Sequence, residues 1–330
     1  MNSRLAHTDE GYLCPMQLPA DPLEHCIHFQ AFNTSPNLAE FLLNNRWEKV
    51  RGLNPEVRRV LVVVGGVLTV KPHHVTTLAC LLEEYRLAGV AIRFESGNAL
   101  VYQYLEGIRF FARFVEPATA AALEFRQPND PTSFDLWPIE PEGMNDFVRS
   151  AYQHFKGHFF QDKSLDFLTI YLGEMFNNVF DHAFAATATE RIAFAMLQYY
   201  PTSQRLLIAV SDFGMGIPKT VNRFLQSQGQ EPLTATEALQ KALELRFTAQ
   251  SRPHNQGRGL DTIHTGVREL NGMLTIQTSR AIYHVSRSGT KFNRAMPEVD
   301  FPGTTLAARV FQEGMRPEEN DLLEDETALF

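Results

Sequence analysis

The stretch Tyr171-Leu-Gly-Glu-Met-Phe-Asn-Asn-Val-Phe-Asp-His-Ala183 combines apolar and polar side chains at helical spacing. If it forms a helix, Glu174, Asn178, Asp181 and His182 share one face, at positions i, i+4, i+7 and i+8. A neighbouring face is apolar and is expected to pack into a core. Its members are Leu168, Leu172, Met175 and Val179.

The polar face suits the activation of water beside a hard cation. The carboxylate of Glu174 can take a proton from water. The amide oxygen of Asn178 is a ligand that Mg²⁺ accepts while it keeps several waters and substrate phosphates. A solvated stripe on an amphipathic helix is the alternative, and the motifs that follow favour the first interpretation.

Three further motifs follow in order. A β-rich apolar run from Leu206 ends at Asp212 and continues as Phe-Gly-Met-Gly-Ile-Pro218. The stretch Asn255-Gln-Gly-Arg-Gly-Leu-Asp-Thr-Ile263 opens a helix, and Pro302-Gly-Thr-Thr305 precedes a last apolar alternation. The four motifs together resemble the Bergerat-type ATP-binding fold shared by gyrase-type topoisomerases, heat-shock chaperone ATPases, histidine kinases and mismatch-repair ATPases.

This resemblance covers about residues 162–311 and implies a Bergerat-type α/β sandwich with a mixed sheet that binds ATP and Mg²⁺. In it, Glu174 resembles the general base that orients the attacking water, and Asn178 resembles the Mg²⁺ ligand. Asp181 follows the gyrase-like pattern, whereas His182 is closer to the histidine-kinase pattern. The first motif leaves hydrolysis and phosphotransfer both open.

The second motif is expected to contact the base. A buried carboxylate at a strand end costs free energy unless it is paired, and the family pairs the residue matching Asp212 with the adenine amino group. Gly214 and Gly216 permit close backbone approach to base and sugar, and Ile217 completes this predicted contact set.

The third motif is expected to contact phosphates, because glycines at a helix N-terminus leave free N–H groups at the positive end of the helix dipole. The helix is predicted to run to about Leu270, with Gly272 as its C-cap. The motif is closer to the anti-sigma-kinase form than to the three-glycine kinase form. Its residues are Gly257, Arg258, Gly259 and Leu260.

The fourth motif enters a predicted strand with Leu306, Ala308 and Val310 on one face. In the family a Gly-Thr pair here lies behind the adenine, and its threonine shares a water-mediated bond with the aspartate. Thr304 and Thr305 both match, and the sequence does not choose between them.

Residues 218–255 are predicted to form a lid over the phosphates. Ala235 to Phe247 has the pattern of an amphipathic helix, and Arg252 and His254 in the polar stretch after it are candidates to touch the phosphates.

The first third of the chain alternates β-rich and helical patterns, which predicts a small α/β layer. Residues 58–114 resemble the STAS-type fold of anti-sigma-factor antagonists, although residues 71–77 offer threonines where such antagonists carry a phosphorylatable serine. A generic α/β packing domain is the alternative. Strands are predicted at 26–32, 60–64, 67–70 and 90–94, and helices at 37–49, 75–87 and 99–105.

Residues 127–143 are rich in proline and acids and are predicted to form a linker. The predicted domains are an N-terminal α/β regulatory or docking domain (1–140), an ATP-binding domain (141–311) and an acidic flexible tail (312–330). The tail carries −6 of the net charge of −8, so the body is close to neutral and gives no electrostatic indication of nucleic-acid binding.

The expected function is that of a cytoplasmic, bacterial-type Mg-ATP-binding protein that hydrolyses ATP and couples it to lid closure or partner control. No transmembrane-length apolar run occurs, and three scattered cysteines favour a reducing compartment. A protein partner at the N-terminal domain and a homodimer are expected. An anti-sigma-type Ser/Thr kinase and a non-hydrolysing, nucleotide-gated binding module in signalling are the alternatives. A histidine kinase is disfavoured, because the single helix predicted at 144–160, with His154 and His158, is not a dimerisation hairpin.

Overall fold

A computed structural model describes residues 21–29, 35–65, 70–115, 131–185, 187–244, 259–296 and 300–318. Several predicted features lie outside the described residues: Gly257, Arg258, Arg252, His254 and the part of the acidic tail beyond 318. The fold is α/β, with two separate sheets.

The helices of the described part are α1 Ser35–Asn45, α2 Trp47–Leu53, α3 Pro72–Leu87, α4 Ala99–Gly107, α5 Met144–His158, α6 Asp166–Asn178, α7 Ile217–Ser227, α8 Ala235–Ala242 and α9 Gly259–Glu269. The strands are β1 Glu24–Phe29, β2 Arg59–Val64, β3 Ala91–Ser96, β4 Ser133–Pro138, β5 Ala193–Tyr200, β6 Arg205–Asp212, β7 Met273–Ser279, β8 Ala281–Val285, β9 Lys291–Ala295 and β10 Phe301–Phe311. None of the described helices has the length and apolar character that crossing a membrane requires.

The smaller sheet is parallel, in the order β1-β2-β3. Its strands alternate with helices, as the sequence predicted, because parallel neighbours need a crossover connection. One predicted helix is in fact two, since the chain breaks between α1 and α2 at Arg46.

The larger sheet has seven strands in the order β4-β5-β6-β10-β7-β8-β9. Every neighbouring pair in it is antiparallel, so the predicted mixed sheet is wrong. The reason is the position of β10, which returns between β6 and β7. These two strands run in the same direction but are not neighbours.

Two strands lie in stretches whose composition is polar or rich in proline. β4 falls within the predicted linker, where it pairs with β5 at the sheet edge and ends at Pro138. Edge strands tolerate proline because one side of the strand needs no N–H donor. β9 falls in the polar stretch before β10, and its side chains are mostly exposed, which explains its polar composition.

The two faces of the larger sheet bury different cores. The front face packs on α5, α6 and α9 and contains the predicted core side chains of Leu306, Ala308 and Val310. The reverse face packs on α3, which is buried along most of its length. The core on this side joins the apolar residues of the smaller sheet to Phe194 and Met196 of β5.

Candidate functional site

Asp212 is the last residue of β6 and is buried, with 6% of its surface exposed. Its carboxylate accepts hydrogen bonds from the backbone N–H groups of Gly214 (2.8 Å) and Thr304. Burial raises its pKa to about 7, and the two N–H groups act against that rise. The C-terminal end of β6 therefore carries a carboxylate that can accept a proton or a hydrogen bond near neutral pH.

Gly303 allows β10 to approach this carboxylate. It has a φ of +65°, and a Cβ there would lie 2.1 Å from the carbonyl oxygen of Asp212. Thr304 is then directly opposite Asp212 in the sheet. The hydroxyl of Thr305 donates instead to Ser211 on the reverse face. Of the two threonines between which the sequence did not choose, Thr304 therefore lies beside Asp212 and Thr305 lies on the reverse face.

Thr278 on β7 joins the site and was not predicted from the sequence. Its buried hydroxyl lies 2.9 Å from the carbonyl oxygen of Gly303 and 3.1 Å from the hydroxyl of Thr304. It also accepts the backbone N–H of Ile217 at 3.0 Å. A threonine in an alternating strand has no sequence pattern that marks it as a site residue.

Gly216, with a φ of +77°, leaves no room for a side chain next to Thr278.

Helix α6 does not continue to Ala183 as predicted, because Val179–Ala183 forms a π-helical turn. This turn displaces Asp181 and His182 from the regular spacing after Asn178, so the predicted single face is wrong beyond α6. Both side chains are half-buried. Single π turns inside helices are frequent at functional sites.

The π turn contacts the loop after Asp212. The carbonyl oxygen of Ala183 accepts the N–H of Met215 at 2.7 Å, and a Cβ on Gly214 would lie 2.1 Å from the same oxygen. The hydroxyl of Thr220 donates to the carbonyl oxygen of His182 at 3.2 Å. These contacts hold the end of α6 against the Asp212 loop.

Glu174 and Asn178 meet the first residue of α9. A Cβ on Gly259 would lie 3.1 Å from Oδ1 of Asn178 and 3.3 Å from Oε2 of Glu174. Burial raises the pKa of Glu174. The side-chain nitrogen of Asn178 is buried without a hydrogen-bond partner among the described residues. Leu260, the next residue of α9, is partly buried against the front core.

The carboxylate oxygens of Glu174 and the Oδ1 atom of Asn178 are oxygen ligands of the kind that Mg²⁺ accepts. The atom of Asn178 that is unpaired among the described residues is Nδ2, a hydrogen-bond donor, so it suits an acceptor such as a phosphate oxygen and not a cation. No cluster of three or more His, Cys, Asp and Glu side chains that could hold a metal occurs among the described residues. A single amide oxygen suits an ion that takes its remaining ligands from phosphates and waters.

No protein-family model matches this chain, and a search of curated proteins found no match.

Proposed function

We propose that this chain binds Mg-ATP in the Bergerat manner, between the Asp212 loop and the N-terminus of α9, and hydrolyses it in the cytoplasm. The buried carboxylate of Asp212 carries this proposal. It stands at a strand end where Gly214 and Gly303 leave no space for other side chains. A buried carboxylate is costly unless a ligand or the protein donates hydrogen bonds to it.

The adenine amino group is the donor that fits this acceptor. Backbone N–H groups already occupy part of the carboxylate and fix its orientation. The hydroxyls of Thr278 and Thr304 lie beside it and offer polar contacts for the base or for a bridging water. A purine with an exocyclic amino group is therefore favoured over one that presents a carbonyl oxygen at the same place.

Glu174 and Asn178 lie at the end of the proposed ATP site where the phosphates would bind and react. A carboxyl group with a raised pKa is well suited to accept a proton from an attacking water. The Oδ1 atom of Asn178 is the proposed protein ligand to Mg²⁺, which when bound neutralises charge on the phosphates. Helix α9 begins at Gly259 beside these two side chains, and the N-terminus of a helix stabilises anions.

A nucleotide-gated binding module is the second candidate, and the reverse face favours it. Ser211, the neighbour of Asp212 in β6, accepts or donates a hydrogen bond at 2.7 Å to Thr76 of α3. The ring of Phe213 lies under the guanidinium of Arg46, at 4.6 Å. Both contacts join the N-terminal layer, which consists of β1–β3 and α1–α4, to the proposed base-binding strand β6. A bound nucleotide would then alter how that layer docks a partner.

The decisive experiment uses γ-labelled ATP and Mg²⁺ with the wild type, Glu174→Gln and Asp212→Asn. We expect Glu174→Gln to bind ATP normally while free phosphate release falls by about 10²–10⁴-fold, the range for a lost general base. Asp212→Asn should lose ATP binding in calorimetry. Glu190→Gln is the matched control, because it removes the same charge from an exposed position.

Each alternative has its own outcome. Label retained on the protein or on an added protein partner would favour a Ser/Thr kinase. ATP binding without either product would favour the gated binding module. Normal ATP binding by Asp212→Asn would contradict the proposed site altogether.

A further inference from the structure

Basic side chains converge on the reverse face of the larger sheet, away from Asp212. Arg309 on β10 lies opposite Leu207, two residues from Arg205 on β6. The two arginines thus share a face as diagonal neighbours, about 7–8 Å apart. The start of α3 and the strand β8 add further bases. The basic cluster consists of Lys71, His73, His74, Arg205, His284 and Arg309.

These groups repel one another. Burial lowers the pKa values of Lys71, His73 and His74, and the charge of Arg309 lowers them further. Burial and the charge of Arg205 lower the pKa of Arg309 itself. Positive charges brought together without compensation destabilise the fold.

The three basic side chains with the highest ordinary pKa values lack a carboxylate at ion-pair distance in the described part of the chain. Lys71, Arg205 and Arg309 form no ion pair with a carboxylate among the described residues. The Nε atom of Arg205 and the Nδ1 atom of His73 are buried and lack hydrogen-bond partners within the same residues. Buried polar atoms left unpaired in this way indicate a missing partner.

Further polar groups lie beside the basic cluster. The guanidinium of Arg205 stacks over the ring of Tyr200 at 5.0 Å. The Tyr200 hydroxyl donates to Gln198 at 3.1 Å. The first turn of the 16-residue helix α3 adds the positive end of its dipole.

We propose that the basic cluster binds a small ligand that carries a phosphate or diphosphate group. The basic side chains of Lys71, Arg205 and Arg309 match a group with two or more negative charges, and one guanidinium group can bind two phosphate oxygens at once. The position between α3 and the sheet favours a small molecule over a polymer. This site lies on the face opposite Asp212 and does not depend on the proposed ATP site.

Calorimetric titration with pyrophosphate, in the absence of Mg²⁺, tests this inference on the full chain. We expect the wild type to bind and Arg309→Gln to bind at least about tenfold more weakly, the size of a lost charged hydrogen bond. Asp212→Asn should bind as the wild type does. So should the matched control Arg294→Gln, which removes an exposed arginine from β9. Circular dichroism checks that each variant folds, and Arg205→Gln replaces Arg309→Gln if that variant does not.

A second readout distinguishes binding from a structural role. His73 and His74 lie within the influence of each other and of the charges of Lys71 and Arg309. A bound anion raises the pKa values of both histidines, so binding should take up protons and tighten as the pH falls. Absence of pyrophosphate binding, or binding lost in Asp212→Asn but kept in Arg309→Gln, would overturn the proposal.

Discussion

Two consecutive residues of β6 show how the faces of the larger sheet differ. Ser211 points to the reverse face and is fully buried, and its hydroxyl lies 2.7 Å from that of Thr76 and 2.9 Å from that of Thr305. Asp212 points to the front face and is buried as a carboxylate held by backbone N–H groups. One strand therefore ends with a polar group bonded to side chains on one face and an acid on the other.

The difference separates a packing contact from a group that we propose binds a ligand. The Ser211 contacts connect α3, β6 and β10, which is how buried polar groups normally contribute to a unique fold. The front face keeps a carboxylate with a raised pKa and, in the same region, the buried Nδ2 atom of Asn178, which has no hydrogen-bond partner among the described residues. Such features reduce stability, and they are expected where a ligand will bind.

The largest effect should come from the charge of Asp212. Its folded-state pKa of about 7 exceeds the ordinary value, so the native state binds more protons than the unfolded state between about pH 4 and pH 7. The free energy of unfolding should therefore fall as the pH rises through this range, by up to about 4 kcal/mol. Asp212→Asn should remove this part of the pH dependence and gain stability relative to the wild type at pH 8. Urea unfolding of both proteins at pH 5 and pH 8 measures it.

The same titration should affect nucleotide binding in the opposite direction. The ionised carboxylate accepts a hydrogen bond from the adenine amino group more strongly than the protonated acid does, so ATP affinity should fall by up to about tenfold between pH 8 and pH 6. An equal pH dependence of stability in the wild type and Asp212→Asn would show that the front-face acid is not the responsible group.

A smaller effect is expected from the close approach of β10 to Asp212. Gly303→Ala places a Cβ 2.1 Å from a backbone oxygen and should lower the free energy of unfolding by about 3 kcal/mol or more. Gly289→Ala is the matched control, because its φ is also positive, at +80°, but nothing lies within 4 Å of the new Cβ. It should lose about 1–2 kcal/mol, the cost of a left-handed conformation. Equal losses in the two variants would mean that backbone strain alone is responsible and that the strands are not closely packed here.

Features with a local signal were predictable from the sequence. The strand ending at Asp212 follows from a continuous apolar run, and the core face of β10 follows from alternating apolar residues. The helix that carries Glu174 and Asn178 followed from its period. Each of these depends on residues near one another in the chain.

Features set by distant contacts were not predictable. The π turn after Asn178 contains one extra residue per turn, which a helical period does not show. The order that places β10 between β6 and β7, and with it Thr278 beside Thr304, depends on pairing across the sheet.

The end of α9 illustrates the same limit. Asn271, not the predicted Gly272, takes the left-handed conformation. Gly272 is required instead because a Cβ there would lie 2.5 Å from the carbonyl oxygen of Arg309 on β10.

The smallest effect should come from the reverse-face link between α3 and β6. Thr76→Val removes the hydroxyl that meets Ser211, and the loss of one buried hydrogen bond should cost about 1–2 kcal/mol in the free energy of unfolding. Thr77→Val is the matched control: Thr77 is equally buried, but its hydroxyl bonds to backbone carbonyls of its own helix. We expect that variant to lose less stability.

ATP affinity in the same two variants tests whether the faces communicate. If the N-terminal layer and the nucleotide are coupled through β6, Thr76→Val should change ATP affinity and Thr77→Val should not. Ser211→Ala, alone and combined with Thr76→Val, completes a double-mutant cycle whose interaction term isolates the link. An interaction term near zero, with ATP affinity unchanged throughout, would leave the two faces energetically independent, and the reverse face would then contribute to packing alone.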